Sequence, residues 1–370
     1  MWTFKLPTEV KFGCGSSGTL RENVAVYGSR LLVATDRILA ELPVIKALIG
    51  RLNATAVFTD VEPNPTVANV DALSKLICES DAEFVIALGG GSSIDCAKAA
   101  CFIAANGGGP IRDYHTGGKK VEGGSLPLIA VPTTAGTGSE VTPFAVLDDP
   151  EMDFKGPIAG TTLYPKIAVV DPELTLTVPA KVTAVTALDA LSHAIEGYWS
   201  KNHLPLCDLM AKEAAKLIFA NLDKVLDNPS DQTGREALSY AALLAGMAFQ
   251  IPKNAIMHAC SFPLSQKYHM PHGAACALTM EGAIRLNTPY MDGRMEEFAQ
   301  YCGFDSVDRM INKITLLKTT GGLPLTLAEA GIPVEAVEDL IEASFHPLMN
   351  NNPKAVTVDD LRKIYRELSA

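Results

Sequence analysis

Positive charge is scarce in this chain and is nowhere concentrated. Its 370 residues include 31 Lys and Arg against 42 Asp and Glu, which gives a formal net charge of −11. Proteins that bind nucleic acid or an anionic membrane surface usually display a basic patch or run. The sequence has no such run, and it therefore argues against both kinds of partner.

Long hydrophobic runs are absent as well. No stretch reaches the roughly eighteen uninterrupted apolar residues that suggest a membrane-spanning helix, and the first residues contain no apolar segment typical of a secretion signal. Hydrophobic residues make up 48% of the chain and charged residues 20%, as in ordinary globular proteins. We therefore expect a cytoplasmic protein.

Paired cysteines are also missing. The eight cysteines are scattered along the chain, and no Cys-x-x-Cys pair occurs. This pattern predicts reduced thiols and excludes a disulfide framework or a zinc ribbon. Cys260 lies two residues after His258, and we interpret it as a small buried packing residue.

The two halves of the chain differ in pattern, which predicts two domains. In the first half, short β-branched runs alternate with helical patterns, as in a parallel sheet covered on both faces. From Ala180 onward the chain is rich in Ala and Leu with helical periodicity. We predict an α/β domain over residues 1–178 and an all-α domain over residues 179–370. The predicted strands are 30–35, 56–59, 84–88, 126–131 and 167–170, and the clearest helical patterns are 69–80, 93–104, 206–226, 235–249, 335–345 and 358–368.

Four ionisable residues of the second half suggest a metal site. Asp189 and His193 are four residues apart in an apolar helical pattern, so one helix face presents both side chains. His258 and His272 each lie among apolar or small residues, where an ionisable group is costly without a partner. One carboxylate and three imidazoles suit Fe²⁺ or Zn²⁺. Each histidine alone also fits a role as a hydrogen-bonded core residue.

A glycine-rich turn in the first half suggests nucleotide binding. The predicted strand 84–88 runs into Gly89-Gly90-Gly91-Ser92 and then into a helix. Such a turn lets the backbone approach a pyrophosphate, and the helix N-terminus supplies free N–H groups. The loop 132–140 after another strand is rich in Thr, Ser and Gly, which suits either a ligand at the sheet edge or simple helix capping.

Asp36, which follows the strand 30–35, has two interpretations. Its carboxylate is placed to accept the hydroxyl groups of an adenine ribose and to repel a 2′-phosphate, which predicts a preference for NAD(H). A helix N-cap before Ile38 explains the same residue equally well.

With these motifs the chain resembles the iron-containing, or group III, alcohol dehydrogenases, relatives of glycerol dehydrogenase and dehydroquinate synthase. The resemblance covers essentially the whole chain. It rests on Pro63-Asn64-Pro65, on Gly89–Ser92 with Asp95 and Lys98, on loop 132–140, on Asp171-Pro172-Glu173-Leu174, on 189–196, and on His258 with Pro271-His272-Gly273.

The resemblance implies a dehydroquinate synthase-like fold, bound NAD(H) and a divalent metal, Fe²⁺ or alternatively Zn²⁺. It implies metal ligation by Asp189, His193, His258 and His272. The residues it implies for the dinucleotide are Asp36, Asn64, Gly90, Gly91, Ser92, Asp95, Thr133, Thr134, Thr137 and Lys155. It also implies a homodimer or a larger homo-oligomer.

One position departs from the family pattern. Many members have a further histidine four residues after the one that matches His258, and this chain has Phe262 there. The nicotinamide pocket is then more apolar, and proton exit needs another route. The candidates are a metal-bound water, a ribose hydroxyl of the cofactor and His269. The run 258–264, with Lys253 and Asn254 before it, is similar to a branch that includes phosphonoacetaldehyde reductases.

The predicted activity is hydride transfer between NAD(H) and a small alcohol or aldehyde, with the metal polarising the substrate oxygen. An alternative of the same class is reduction of an anionic aldehyde such as phosphonoacetaldehyde. An alternative of another class is a lyase like dehydroquinate synthase, which uses the same cofactor and metal. A lyase of that kind is expected to have a substrate pocket rich in Lys and Arg, and the second half of the chain offers little of this.

Overall fold

The computed structural model describes residues 1–369, and these divide into two compact units. The first unit comprises residues 5–134 and 138–176. The second contains the remaining described residues, namely 1–4, 135–137 and those from 177 onward.

The first unit is built on a parallel sheet. Six strands form it in the order β1-β8-β5-β4-β2-β3, and every neighbouring pair is parallel. The strands of the unit are β1 Glu9–Phe12, β2 Leu31–Ala34, β3 Ala56–Phe58, β4 Phe84–Gly89, β5 Leu128–Pro132, β6 Phe144–Asp149, β7 Phe154–Ala159 and β8 Ile167–Val170. The helices are α1 Leu20–Val24, α2 Arg37–Glu41, α3 Pro43–Leu52, α4 Val67–Glu79, α5 Gly91–Ala105 and α6 Arg112–His115.

Strands β2, β4, β5 and β8 are buried along their whole length. Alternate residues of β4 point to different apolar clusters, with Val85 and Ala87 in one and Ile86 and Leu88 in the other. Both faces of the sheet are therefore covered, which explains why these strands read as continuous apolar runs. Their carboxyl ends carry the glycine-rich turn and the loop from residue 132.

Strand β1 and the antiparallel pair β6–β7 were not predicted. Strand β1 has only four residues, none of them fully buried, and it forms the edge of the sheet beside β8. In β6, buried residues alternate with half-buried ones, the pattern of a hairpin with one covered face. These strands depend on pairing partners more than on a continuous apolar run, so their local sequence pattern is only a weak signal.

The second unit is helical. Its helices are α7 Ala180–Trp199, α8 Pro205–Asp227, α9 Gln232–Phe249, α10 Ile256–Tyr268, α11 His272–Leu278, α12 Met280–Asn287, α13 Arg294–Tyr301, α14 Val307–Thr320, α15 Val337–Ser344 and α16 Val358–Glu367. Helix α7 lies within one large apolar cluster, and all its residues from Ala187 to Trp199 are buried. The predicted fold class, a parallel α/β part followed by an all-α part, is confirmed.

No helix within residues 1–369 combines the length and the apolar character needed to cross a membrane.

Candidate metal centre and nucleotide-binding loop

Helix α7 supplies three buried polar side chains from one face. Asp189, His193 and Glu196 follow each other at spacings of four and three residues, so they project in the same direction. Their exposed fractions are 3%, 4% and 0%. Because the residues around them on α7 are buried, these groups must find their partners inside the protein.

Helices α10 and α11 bring the other two histidines to this face. His258 lies in the first turn of α10, and His272 is the first residue of α11. Gly273 allows α11 to approach α7 closely, because a Cβ atom at this position would lie 2.8 Å from Cβ of Asp189 and would overlap the carbonyl oxygen of Val185. The glycine after His272 therefore sets the distance between the two helices.

The three predicted histidine ligands share one neighbour, the carboxylate of Asp189. Oδ1 of Asp189 lies 4.0 Å from Nε2 of His193, 3.9 Å from Nε2 of His258 and 3.8 Å from Nε2 of His272. The rings of His193 and His258 stack with centroids 4.7 Å apart. Side chains that lie within a segment of 84 residues, 189 to 272, thus place three imidazole nitrogens around one carboxylate oxygen.

Glu196 fixes the orientation of His258. Its Oε2 accepts hydrogen bonds from Nδ1 of His258 at 2.7 Å and from N–H of Ala255 at 2.8 Å, and its Oε1 accepts one from N–H of Met257 at 2.6 Å. A carboxylate can only accept, so Nδ1 carries a proton, and the ring directs its other nitrogen, Nε2, at Asp189. Carboxylate–imidazole pairs of this kind are the usual outer support of histidine metal ligands. The sequence analysis did not assign this role to Glu196.

Burial dominates the electrostatics of the cluster. It raises the pKa of Asp189 to about 6, and together with the neighbouring His258 and His272 it lowers the pKa of His193 well below its usual value. Burial also acts to lower the pKa of His258, but Cys276 and Glu196 beside it raise that pKa well above its usual value. The ionised carboxylate and the neutral imidazoles are therefore not all favoured at once without a further positive charge.

The donor atoms fit a divalent cation. Oδ1 of Asp189 and Nε2 of His258 are buried and find no hydrogen-bond partner within residues 1–369, which is unusual for such groups unless an ion or a water binds them. A carboxylate oxygen and neutral imidazole nitrogens are ligands of Zn²⁺ and Fe²⁺. His272 is the most open of the four, with 31% of its side chain exposed.

A further residue, Cys276, lies close to three of the predicted ligands. Donor atoms of Asp189, His258, His272 and Cys276 all lie within 4.8 Å of one another, and Sγ of Cys276 is 3.8 Å from Nε2 of His272. The sequence analysis missed this cysteine. Its signal was the four-residue spacing from His272, which places both side chains on one face of α11. Cys260, by contrast, is fully buried in the apolar cluster, as predicted.

Aromatic rings line the neighbourhood of the cluster. Phe249, at the end of α9, stacks on His193 with centroids 4.2 Å apart and planes 8° from parallel. Phe262 contacts a histidine that the sequence analysis did not consider, His346, at 4.9 Å between centroids. His269, the proposed proton relay, is exposed and takes a left-handed backbone conformation at the end of α10.

The glycine-rich turn joins β4 to α5. Gly89 ends the strand with φ +157°, where a Cβ atom would lie 2.7 Å from Cβ of Ser93. Gly90 is the N-cap of α5, and no side chain caps the helix there. Gly91 begins the helix, with Ser92 after it. The first N–H groups of a 15-residue helix are thus available to an anion.

Asp36 is a helix N-cap, which is one of the two roles that its sequence position suggests. It is the N-cap of α2, and Oδ1 accepts the N–H of Leu39 at 2.9 Å. A capping carboxylate retains its second oxygen for a ligand, so this contact is compatible with either interpretation of the residue.

Several other residues implied for the dinucleotide surround the turn. Asn64 donates its backbone N–H to Oγ of Ser92 at 3.2 Å, and its Oδ1 accepts from Nζ of Lys155 at 2.8 Å. The side chain of Thr134 lies 3.2 Å from where a Cβ of Gly90 would be. Thr133 is buried, and its hydroxyl has no hydrogen-bond partner among the described residues.

Two of the implied residues are placed differently. Asp95 is buried on α5, where its carboxylate accepts the N–H of Val146 at 2.9 Å and pairs with Lys98 at 3.3 Å. It thus connects α5 to β6. Thr137 belongs to the helical unit, whereas the other implied residues belong to the α/β unit.

Fold and site together define an α/β unit with a glycine-rich strand–turn–helix and a helical unit with a buried carboxylate–imidazole centre. Residues 7–172 match the family described as iron-containing alcohol dehydrogenase, and residues 183–369 match the C-terminal part of that family. The chain belongs to the iron-containing alcohol dehydrogenase family and is an oxidoreductase acting on alcohols. The resemblance inferred from the motifs is thereby confirmed.

Individual relatives span the whole chain. The NAD-dependent methanol dehydrogenase of Bacillus methanolicus is 31% identical and covers 99% of both chains. The 1-propanol dehydrogenase PduQ of Salmonella typhimurium is 31% identical and covers 100% of both. Among solved structures, sulfoacetaldehyde reductase from Bifidobacterium kashiwanohense in complex with NAD⁺ is 40% identical with a TM-score of 0.95, covering 100% of this chain and 99% of that one.

Proposed function

We propose that this protein catalyses metal-dependent, NAD(H)-linked interconversion of a small alcohol and its aldehyde. The observation that carries the proposal is the convergence of three imidazole nitrogens within 3.8–4.0 Å of one carboxylate oxygen. In this proposal Asp189, His193, His258 and His272 hold Fe²⁺ or Zn²⁺.

The two bound groups would supply the reactive chemistry. A divalent cation in the cluster supplies Lewis acidity toward the oxygen of an alcohol or aldehyde, and the dinucleotide supplies or accepts the hydride. The family assignment favours this reaction over the lyase alternative.

The protein's own residues position these groups. Asp189 adds a negative charge to the donor set, and Glu196 orients the ring of His258 by accepting from Nδ1, which leaves Nε2 directed at the centre. Phe249 restrains the plane of His193 through its stacked ring. Phe262 keeps its position free of a titratable group, so we expect proton exit through His269, through water or through the cofactor's ribose.

For the dinucleotide, we propose contacts from Asp36, Asn64, the turn Gly90–Ser92, Asp95, Thr133, Thr134, Thr137 and Lys155. The support is the uncapped N-terminus of α5 behind Gly90 and the arrangement of Asn64, Ser92 and Lys155 beside it. The sulfoacetaldehyde reductase that is 40% identical was solved with NAD⁺, which supports NAD(H) as the cofactor.

An anionic aldehyde is a second candidate substrate. The relative with 40% identity reduces sulfoacetaldehyde, according to its name. This chain also has a half-buried lysine four residues after Phe249: the backbone N–H of Lys253 donates to the carbonyl of Phe249, whose ring stacks on His193. Burial lowers the pKa of Lys253 to about 8.

Metal content and turnover test the main proposal together. We expect His258→Ala and His272→Ala to lose bound metal and NADH oxidation, while His203→Gln, whose histidine pairs with Asp208 outside the cluster, keeps both. Full activity of metal-depleted His272→Ala would refute the main proposal.

Parallel assays with propionaldehyde, sulfoacetaldehyde and phosphonoacetaldehyde test which aldehyde is the substrate. Lys253→Gln should raise KM only for the anionic aldehydes if Lys253 binds them.

We further propose a cytoplasmic homodimer or larger homo-oligomer. All eight cysteines are free thiols, which supports a reducing compartment. Light scattering coupled to size-exclusion chromatography tests the oligomeric state, and a monomer at assay concentration would refute it.

A further inference from the structure

Cys276 is a buried thiol directed into the metal centre, and its role is not explained by packing. The side chain is fully buried, yet Sγ lies among polar atoms of the cluster. It is 3.8 Å from Nε2 of His272, the atom that is itself 3.8 Å from Oδ1 of Asp189.

The geometry points to a direct ligand. Ligands bound to one ion at about 2.0–2.3 Å are separated from each other by no more than about 4.6 Å. The donor atoms of Asp189, His258, His272 and Cys276 all lie within 4.8 Å of one another, which is close to this limit.

Two further observations point to a ligand at this place. Oδ1 of Asp189 and Nε2 of His258 are more than nine-tenths buried and lack hydrogen-bond partners among residues 1–369. They face the same space as the sulfur.

We propose that Cys276 coordinates the metal through Sγ, so that the centre has a mixed oxygen, nitrogen and sulfur donor set. The inference rests on the proposed metal-dependent function and adds a ligand to the four that the sequence suggested. On binding, the thiol releases its proton to solvent and the thiolate forms the bond to the ion. A sulfur donor favours softer divalent ions such as Zn²⁺ over ions that prefer oxygen.

The test uses the full-length protein loaded with Co²⁺ for optical spectra and with Zn²⁺ for X-ray absorption. We expect a sulfur-to-cobalt charge-transfer band in the near ultraviolet and a sulfur shell at about 2.3 Å around zinc. Both should disappear in Cys276→Ala. Both should persist in Cys260→Ala, which removes another fully buried cysteine two residues after His258.

Each result decides the question. One equivalent of bound zinc without a sulfur shell in the wild type overturns the inference and leaves the proposed function standing. A sulfur shell that persists in Cys276→Ala overturns the assignment to this residue. A wild type that binds no metal overturns both the inference and the proposed function. The wild-type spectrum needs no variant, so the test remains valid if Cys276→Ala folds poorly.

Discussion

Asp36 performs one task in the structure and is proposed to perform a second. Oδ1 caps α2 through the N–H of Leu39, and the negative charge is proposed to repel the 2′-phosphate of NADPH. The two roles are separable, because an amide oxygen also caps a helix but carries no charge.

We expect Asp36→Asn to improve the use of NADPH relative to NADH with little change in melting temperature. Asp36→Ala removes the charge and the cap, so it should give the same change in preference and also cost about 1 kcal/mol of stability. The measurement is kcat/KM for both cofactors together with thermal melting. If neither variant changes cofactor preference, Asp36 is a helix cap only.

Phe262 contacts His346, a half-buried histidine whose pKa is lowered by burial. If Phe262 faces the nicotinamide as the family pattern implies, Phe262→His should add an ionisation near pH ~6.5 to the profile of alcohol oxidation without loss of metal. Phe262→Leu is the matched control and should add none. A variant destabilised by roughly 1–3 kcal/mol with an unchanged profile would show that Phe262 is a core residue.

The candidate ligands could be predicted from the sequence for a simple physical reason. Ionisable residues at helical spacing among apolar neighbours need a partner, and an ion satisfies them all. The contact of Glu196 with His258 spans 62 residues of sequence, and only the packing of α10 on α7 creates it. Cys276 was missed because a single small thiol in an Ala-rich helix looks like a packing residue.

Helices α7 and α11 form the frame of the centre, and they approach each other closely at Gly273. A methyl group there would overlap Val185 and lie 2.8 Å from Cβ of Asp189. Gly273→Ala should therefore displace α11, cost roughly 1–3 kcal/mol and weaken metal binding. Gly50→Ala in α3, where an added Cβ meets nothing within 4 Å, is the control and should be neutral or slightly stabilising. Melting curves and metal titrations that fail to distinguish the two variants would contradict this account of the frame.

Secondary structure was predictable where the apolar pattern of a single segment is enough to identify the element. Strands β2, β4, β5 and β8 are apolar throughout, and α8 and α9 have clear helical periodicity. The short edge strand β1 and the β6–β7 pair depend on hydrogen bonds to partners, which a local pattern does not record.

Over the whole molecule, metal binding should couple stability to pH. Burial raises the pKa of Asp189 to about 6, so the metal-free protein loses stability as pH rises through this value, because a buried carboxylate must then ionise. A cation stabilises the ionised carboxylate and the neutral imidazoles, and protons compete with it at low pH. The difference in melting temperature between metal-loaded and chelated protein should thus be small near pH ~5 and larger near pH ~8. A difference that is independent of pH would contradict metal binding at Asp189.

One divalent ion in the Asp189 centre is proposed to be required for NADH-linked aldehyde reduction. The most direct measurement is NADH oxidation with propionaldehyde by protein stripped of metal and then titrated with Fe²⁺ or Zn²⁺. We predict no turnover before addition and activity that rises with bound metal to saturation at one ion per chain. Full turnover by protein shown to contain no metal would contradict the account.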